Sequence, residues 1–201
     1  MPFAPILAAF VLGSIPSALL VGRWAGKDVR REGSANPGAT NTWRVAGRGP
    51  GLLVLFLDAL KGWLAAAVLP GLVPSGAPWI AAAAGAAAVL GHVFNPWLGL
   101  RGGKGVATSA GAIGALAPRL LVGPLGLFVL VFALRRKVSE ASIAAALSLP
   151  VVALVYRLLP PAGWPGDELL VAGAGLALLL LWTHRDNLRR IRERREPRIR
   201  L

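Results

Sequence analysis

The chain has 201 residues, of which 55% are hydrophobic and 15% charged, and its mean hydropathy is +0.62. This composition is too apolar for an ordinary soluble domain and is typical of one compact membrane domain. A net charge of +13 is compatible with nucleic-acid binding, but basic residues beside apolar segments favour a cytoplasmic membrane face, so we expect no nucleic-acid partner. The lack of Cys excludes disulfides, thiolate metal sites and a cysteine nucleophile.

Apolar segments near the length needed to cross a bilayer, about 20 residues, recur along the chain. The first has no charged leader and no small-residue cleavage pattern, so we expect it to be retained as a span rather than removed as a signal peptide. The clear segments are residues 3–21, 51–72, 78–98, 139–156 and 167–182.

The stretch 106–134 is too long for one span, and Pro118 and Pro124 interrupt it. If it crosses twice with a reversal near Pro118, and the N-terminus is outside, the basic clusters at 135–137 and 185–200 both fall inside. Its first arm would rise only about 20 Å, less than the ~30 Å hydrocarbon layer, so neighbouring helices must shelter it.

These patterns predict an all-α polytopic integral membrane protein with about seven transmembrane helices. We expect short or broken helices around a pocket on the cytoplasmic face, with the N-terminus outside and the C-terminus in the cytoplasm. We treat 1–201 as a single domain whose residues 185–201 form a basic cytoplasmic tail, either helical or disordered, near anionic lipid headgroups.

The first polar run lies in the loop after the first predicted span. It offers hydroxyls, amides, flexible glycines and fixed cations, which together can surround a phosphate. A loop that only obeyed the positive-inside rule would not need so many polar groups, so we interpret the run as a binding loop. Its members are Gly33, Ser34, Asn36, Gly38, Thr40, Asn41 and Arg44, with Arg30 and Arg31 just before them.

The second run, residues 101–105, reads Arg-Gly-Gly-Lys-Gly and precedes a predicted helix, whose N-terminal amides and dipole favour an anion. It is not a P-loop, because Gly99 is one residue too close to Lys104 and Gly105 stands where Ser or Thr would ligate magnesium. A nucleoside triphosphatase is therefore disfavoured. The residues expected to bind an anion are Gly102, Gly103, Lys104 and Gly105.

The third run, residues 184–187, ends the last predicted span. His184 and Asn187 are one helical turn apart and can face one site if the helix continues, and His can exchange a proton near neutral pH. Taken alone, this run is more typical of an interfacial helix cap. Ser139 and Ser142 begin another span, where we expect one to cap the helix and the other to face the pocket.

Two pairs of polar residues lie within or at the end of predicted spans. Asp58 and Lys61 are three residues apart, where opposite charges reduce the cost of burial, so we interpret them as an internal structural pair. For His92 and Asn95, a hydrogen-bonding role at a helix end is favoured over a ligand role.

By the charge count, all three polar runs leave the membrane on the same side. We therefore expect them to converge in one anion-binding pocket at that surface. The sequence contains no metal-ligand cluster, so we predict metal-independent turnover with no cofactor.

The runs 33–41, 102–108 and 184–187 together resemble the three ordered motifs of the bacterial membrane acyl-phosphate:glycerol-3-phosphate acyltransferases, the PlsY family. The resemblance extends over nearly the whole chain, including residues 57–62 and 138–142. It implies a seven-helix protein of the bacterial inner membrane that transfers a fatty acyl group from acyl phosphate to the 1-hydroxyl of sn-glycerol 3-phosphate, yielding lysophosphatidic acid and phosphate. The partners implied are these two substrates, membrane lipids and the enzyme that supplies acyl phosphate.

The resemblance also implies roles for residues that match the motifs. The catalytic set is Ser34, Arg44, Lys104, His184 and Asn187. The substrate-binding set is Asn36, Gly38, Thr40, Asn41, Gly102, Gly103, Gly105 and Ser142. The chain departs from the family pattern where Ala35 and Pro37 replace the more frequent Gly and aliphatic residue, and where Asp186 replaces the usual Glu.

Acyl phosphate already carries a good leaving group, so we expect direct transfer without an acyl-enzyme. The rival route through a serine acyl-enzyme lacks a readable His–acid relay, and neither His92 nor His184 is followed five residues later by the Asp of soluble acyltransferases. A transporter of phosphorylated metabolites is the alternative from another class. A transporter should have polar residues near the membrane midplane, and in this sequence only Asp58 and Lys61 fit that expectation.

Overall fold

A computed structural model describes residues 3–72, 78–160 and 167–199, and within them the secondary structure is entirely helical. The chain divides into two compact units, Met1–Leu116 and Ala117–Leu201. The connection between the second and third predicted spans, residues 73–77, and the last two residues of the predicted 185–201 tail lie outside the described residues.

The first unit contains six α-helices. α1 packs against α5, and α4 packs against α3, α5 and α6. Short 3-10 turns follow α4 at Leu69–Leu72 and α5 at Pro96–Leu98. The helices are α1 (Ala4–Gly13), α2 (Ser17–Trp24), α3 (Ala39–Ala46), α4 (Arg48–Ala67), α5 (Pro78–Val93) and α6 (Val106–Leu116).

The first predicted span, 3–21, is confirmed by the apolar helical segment Ala4–Trp24, but its helix is broken between α1 and α2. Pro16 has no N–H and its ring conflicts with a continuing helix. In lipid, the carbonyls freed by such a break must find partners within the protein. Asn95 Nδ2 donates to the Ser14 carbonyl at 2.6 Å, and Lys61 Nζ donates to the Ile15 carbonyl at 3.1 Å.

Glycines let these helices approach one another at backbone distance. A methyl group built on Gly91 of α5 would overlap the Phe10 carbonyl of α1, and one on Gly13 would overlap the backbone of Ala88. Between α4 and α6, Gly62 packs against the Thr108 carbonyl and Gly111 against the Ala59 carbonyl. This small-residue packing is a common route to tight helix pairs in membranes, and it shelters the short helix α6.

The second unit contains α7 (Pro118–Arg135), α8 (Val138–Leu158), α9 (Asp167–Thr183) and α10 (Arg185–Arg192). α7 packs against α8, and α8 against α9. The predicted interruption near Pro118 is confirmed, since α6 ends at Leu116 and α7 begins at Pro118. Pro124, in contrast, lies inside α7 without ending it.

Five helical segments among the described residues are long and apolar enough to cross a bilayer. They are Ala4–Trp24, Arg48–Leu72, Trp79–Leu98, Pro118–Arg135 and Val138–Leu158. The shorter apolar helices Val106–Leu116 and Leu170–Thr183 complete the pattern of about seven predicted from the sequence. The chain is an integral membrane protein.

Replacing Gly91 by Ala tests the close contact between α1 and α5. We expect the Gly91→Ala variant to lose about 1–3 kcal/mol of stability, because the new methyl group overlaps the Phe10 carbonyl and must push the helices apart. Thermal unfolding in detergent measures the change. Gly126→Ala is the matched control, because Gly126 of α7 is exposed with nothing within 4 Å of the added methyl group. Equal unfolding temperatures for the two variants would contradict the close packing.

Candidate active site

The first polar run forms a loop that is tied down by Asn41. The Asn41 side chain donates to the carbonyls of Val29 and Glu32 at 2.8 and 3.0 Å, and it accepts the backbone N–H of Ser34 at 2.8 Å. Gly33 has φ +63 and lies so close to Asn41 Oδ1 that no side chain fits. Asn41 therefore organises the loop that presents Ser34, and its direct contact with a substrate stays a prediction.

The basic residues before this loop are engaged with an acidic neighbour. Arg30 Nε and Nη2 both donate to Asp28 at 2.9 Å, and Arg31 Nε lies 3.7 Å from the same carboxylate. The hydrogen bonds from Arg30 lower the pKa of Asp28 to about 2, so the carboxylate stays charged. Asp28 therefore offsets one of the two positive charges that Arg30 and Arg31 add to the loop.

The remaining residues of the first run lie around the start of α3, which begins at Ala39 after Gly38. Ser34 and Arg44 are exposed, whereas Asn36, Gly38 and Thr40 are half-buried. Ala35 adopts φ +55, the left-handed region that favours glycine. The departure from the family pattern at this position therefore places an alanine where glycine is the less strained residue.

The second run is folded back on the end of α5. Gly102 N–H donates to the Val93 carbonyl at 2.9 Å, and Gly103 N–H donates to the His92 carbonyl at 3.2 Å. Gly105, with φ +84, then leads into α6, which begins at Val106. Lys104 is thus held just before a helix N-terminus, the arrangement that favours an anion.

The first two runs meet within the first unit. A methyl group built on Gly103 would lie 3.1 Å from the Pro37 carbonyl oxygen, and it would overlap His92 Nε2. The Lys104 segment therefore lies next to the loop that carries Ser34. This contact joins two of the three predicted motifs.

Two further hydroxyls are buried in the first turn of α6. Within the described residues, Thr108 Oγ1 and Ser109 Oγ have no hydrogen-bond partner. A buried hydroxyl without a partner is costly, so these two groups are suited to a water or a substrate oxygen. Sequence reasoning did not select Thr108 or Ser109 as site residues, although both directly follow the glycine run.

The third run belongs to the second unit, and its approach to the other two runs stays a prediction. The helix does not continue through it, because α9 ends at Thr183 and α10 begins at Arg185. His184 stands at the break with 3% of its surface exposed, and Asn187 has 4% exposed. His184 Nδ1 lies 2.7 Å from the Leu180 carbonyl, so Nδ1 carries a proton and donates it to this carbonyl, which fixes the orientation of the ring.

Glu196, which the sequence analysis treated only as part of the tail, organises the third run. Its carboxylate accepts hydrogen bonds from Ser139 Oγ at 2.6 Å, Asn187 Nδ2 at 2.7 Å and Arg190 Nε at 2.8 Å. Burial raises the pKa of Glu196, but these hydrogen bonds outweigh burial and hold the pKa below its ordinary value. The tail is therefore folded onto α8 and α10 at Glu196, and further along the Ile199 N–H donates to the Arg136 carbonyl at 2.8 Å.

The hydrogen bond from Ser139 to Glu196 also defines the surroundings of Ser139 and Ser142 near the start of α8. The N-cap residue of α8 is Lys137, which makes no side-chain cap, so the prediction that Ser139 or Ser142 caps the helix is wrong. Ser139 instead binds Glu196. Ser142 is buried with 2% exposed, and its role as a substrate contact stays a prediction.

No group of three or more His, Asp or Glu side chains that could hold a metal ion occurs in the part of the chain that the structure describes. The interpretation of Asp58 and Lys61 as an internal pair is confirmed, with Lys61 Nζ 2.8 Å from Asp58 Oδ1. The helix-end role of Asn95 is also confirmed, since its side chain accepts the Trp97 N–H at 3.1 Å and donates to the Ser14 carbonyl.

Removing the charge of Glu196 tests its role in the second unit. We expect Glu196→Gln to lose about 2 kcal/mol of stability at neutral pH, because three donors lose a charged acceptor. Because the folded-state pKa is depressed, this stabilisation is present above the ordinary glutamate pKa and is lost as pH falls through the folded value. Thermal unfolding as a function of pH measures both effects, and acidification should destabilise the wild type more than Glu196→Gln.

The control for this prediction is Glu193→Gln, three residues earlier in the same tail. Glu193 binds Arg189 and Arg195 at the surface, where ion pairs contribute about 0–1 kcal/mol. A loss in Glu193→Gln as large as that in Glu196→Gln would contradict a special role for Glu196.

Comparison with known proteins identifies the family of the chain. The family model for glycerol-3-phosphate acyltransferase matches residues 3–194. A glycerol-3-phosphate acyltransferase of Synechococcus elongatus is 44% identical over 96% of this chain and 92% of the relative. One of Myxococcus xanthus is 44% identical over 98% of this chain and all of the relative.

Solved structures give the same result. The crystal structure of PlsY (YgiH), an integral membrane glycerol 3-phosphate acyltransferase, in its glycerol 3-phosphate form superposes with a TM-score of 0.88 at 34% identity, covering 99% of this chain and 96% of that one. Its lysophosphatidic acid form superposes with a TM-score of 0.85 at 33% identity, covering 99% and 95%. With its motifs, its helices and these matches in agreement, the chain belongs to the glycerol-3-phosphate acyltransferase family.

Proposed function

We propose that this protein transfers a fatty acyl group from acyl phosphate to the 1-hydroxyl of sn-glycerol 3-phosphate. The hydroxyl oxygen forms a bond to the acyl carbonyl carbon, the bond from that carbon to the phosphate oxygen breaks, and the hydroxyl proton is lost. The products are lysophosphatidic acid and phosphate. Family membership and the two ligand forms of the similar solved structure support the acceptor and the product.

The contact between the first two motifs is the observation that carries the proposal. Both substrates contain phosphate, and two anions repel each other unless cations and N–H dipoles offset their charge. Lys104 and the N-terminus of α6 lie beside the loop of Ser34, with Arg44 on the helix that follows. We assign phosphate neutralisation to Arg44 and Lys104, and a hydrogen bond to substrate to Ser34.

We further propose that His184, Asn187 and Ser142 act on the same substrates, with His184 and Asn187 orienting the acceptor. The hydrogen bond from His184 Nδ1 to the Leu180 carbonyl holds the ring in a fixed orientation, which supports a role in orienting the acceptor. The remaining motif positions are proposed as substrate contacts: Asn36, Gly38, Thr40, Asn41, Gly102, Gly103 and Gly105. The protein needs no metal in this scheme, and chelators should leave turnover unchanged.

Acyl transfer with purified protein tests the proposal. We expect lysophosphatidic acid and phosphate to form from acyl phosphate and glycerol 3-phosphate, and not from acyl-CoA or acyl carrier protein thioesters. Arg44→Gln and Lys104→Gln should each lower kcat/KM about 100- to 1,000-fold, because each removes a cation from developing charge. Arg48→Gln is the control, because Arg48 is an exposed arginine four residues after Arg44, at the start of the next helix, α4.

Three results would contradict this scheme in different ways. Turnover with a thioester donor would contradict acyl phosphate as the acyl donor. A labelled acyl ester trapped on Ser34 would exclude direct transfer. Uptake of phosphorylated metabolites into vesicles without acyl transfer would favour a transporter. The transporter alternative has little support in the first unit, since Asp58 and Lys61 are paired with each other and Lys61 also binds Ile15.

We also propose that the protein lies in the bacterial inner membrane with its N-terminus outside and the three motifs in the cytoplasm. Because the chain has no Cys, a single introduced cysteine is the only thiol in each variant, and its labelling shows on which side of the membrane that residue lies. In intact cells an impermeant maleimide should label Leu72→Cys, and it should label Ser34→Cys and Arg185→Cys only after permeabilisation. Labelling of Ser34→Cys and Arg185→Cys from opposite faces would exclude a shared pocket.

A further inference from the structure

Three ionisable side chains of the first unit form a buried row beneath the second motif. Lys61 Nζ lies 2.8 Å from Asp58 Oδ1 on α4, and His92 Nδ1 on α5 lies 3.6 Å from the same Asp58 oxygen. The exposed fractions are 5% for Lys61, 3% for Asp58 and 7% for His92. Water therefore does little to solvate these groups, and each depends on its neighbours.

One end of the row has a structural purpose that is already clear. Lys61 binds the Ile15 carbonyl at the helix break, and Asp58 balances the charge of Lys61. This purpose requires no histidine. His92 is the member of the row that reaches the motif loops, so its place beside Asp58 needs a separate explanation.

The other end of the row lies against the glycine run. His92 Nε2 occupies the space into which a side chain at position 103 would project, and the His92 carbonyl accepts the Gly103 N–H at 3.2 Å. The imidazole thus lies against the backbone of Gly103, and the Pro37 carbonyl also lies close to the position that a methyl group on Gly103 would occupy. Lys104 is the next residue along the chain.

We propose that Asp58 and His92 are positioning residues for the phosphate-binding loop. The Asp58 carboxylate, 3.6 Å from His92 Nδ1, orients the ring through the attraction between its charge and the polar ring rather than through a hydrogen bond. The ring in turn sets the position of the Gly103 backbone, which directs Lys104 toward the first loop. The inference rests on the proposed function, because it assigns Lys104 a phosphate of the substrates. A displacement of about 1 Å in such a group costs up to roughly 100-fold in rate.

The first test is removal of the ring. We expect His92→Ala to lower kcat roughly 10- to 100-fold while the protein remains folded. His92→Gln keeps a polar side chain that fills part of the space of the imidazole, so its kcat should be higher than that of His92→Ala. Ser14→Ala is the control: it removes a buried hydroxyl that accepts from Trp97 Nε1, and it should lower the unfolding temperature without changing kcat.

The second test is a rescue that only the proposed contact predicts. Gly103→Ala should be inactive, because its methyl group overlaps His92 Nε2. The double variant Gly103→Ala/His92→Ala should recover to the activity of His92→Ala alone, since the ring is gone. A double variant as inactive as Gly103→Ala would overturn the role of the ring.

The third test separates Asp58 from the ion pair. Asp58→Asn alone leaves Lys61 buried without a counter-charge, so the variant Asp58→Asn/Lys61→Met removes both charges together. We expect this variant to fold with a lower unfolding temperature, because the Ile15 carbonyl loses its Lys61 donor and keeps only the Ser17 N–H at 2.9 Å. It should share the reduced kcat of His92→Ala. Normal kcat in the folded double variant would overturn the role of the carboxylate.

A readout without turnover distinguishes failure of this inference from failure of the proposed function. Inorganic phosphate should protect Lys104 from acetic anhydride, as followed by mass spectrometry of the intact protein and its peptides. In His92→Ala the phosphate concentration for half-protection should rise roughly 10-fold. An unchanged value would overturn the inference, even if acyl transfer proceeds as proposed. A changed value in a protein without acyl transfer would support the loop contact and refute the reaction.

Discussion

The first unit depends on one constraint: a helix broken inside a bilayer must find hydrogen-bond partners within the protein. Pro16 breaks the first span, and the carbonyls of Ser14 and Ile15 are satisfied by side chains from distant helices. The partner of Ile15 is a lysine, whose charge in turn requires Asp58. A proline near the start of the chain thus accounts for a buried ion pair some forty residues later.

Close helix packing makes this arrangement possible. Gly13 and Gly91 bring α1 and α5 into backbone contact, and Gly62 and Gly111 do the same for α4 and α6. The end of α5 and the start of α6 are therefore held at fixed positions. The glycine run between them is fixed relative to α5 by its hydrogen bonds to the carbonyls of Val93 and His92. Lys104 is consequently held on a rigid support although it lies in a loop.

The two units organise their motifs by different means. In the first, Asn41 ties the loop of Ser34 through three hydrogen bonds to backbone groups. In the second, a carboxylate from the tail collects Ser139, Asn187 and Arg190. In both, one buried polar side chain satisfies several groups at once, which is how a polar cluster can persist in a largely apolar protein.

The sequence by itself determined the membrane class, the number of apolar helices, the break at Pro118 and the three motifs, because hydropathy, proline and local motif spacing are properties of neighbouring residues. It also paired Asp58 with Lys61, which are one helical turn apart. Only the tertiary structure decided that Lys61 caps the Pro16 break, that His92 supports Gly103, and that Glu196 rather than a serine cap organises the start of α8. The contacts of Lys61 with Ile15 and of Ser139 with Glu196 join residues 46 and 57 positions apart. The contact of His92 with Gly103 depends on the room left beside a glycine. No local pattern encodes either kind of contact, because helix packing sets which side chains meet.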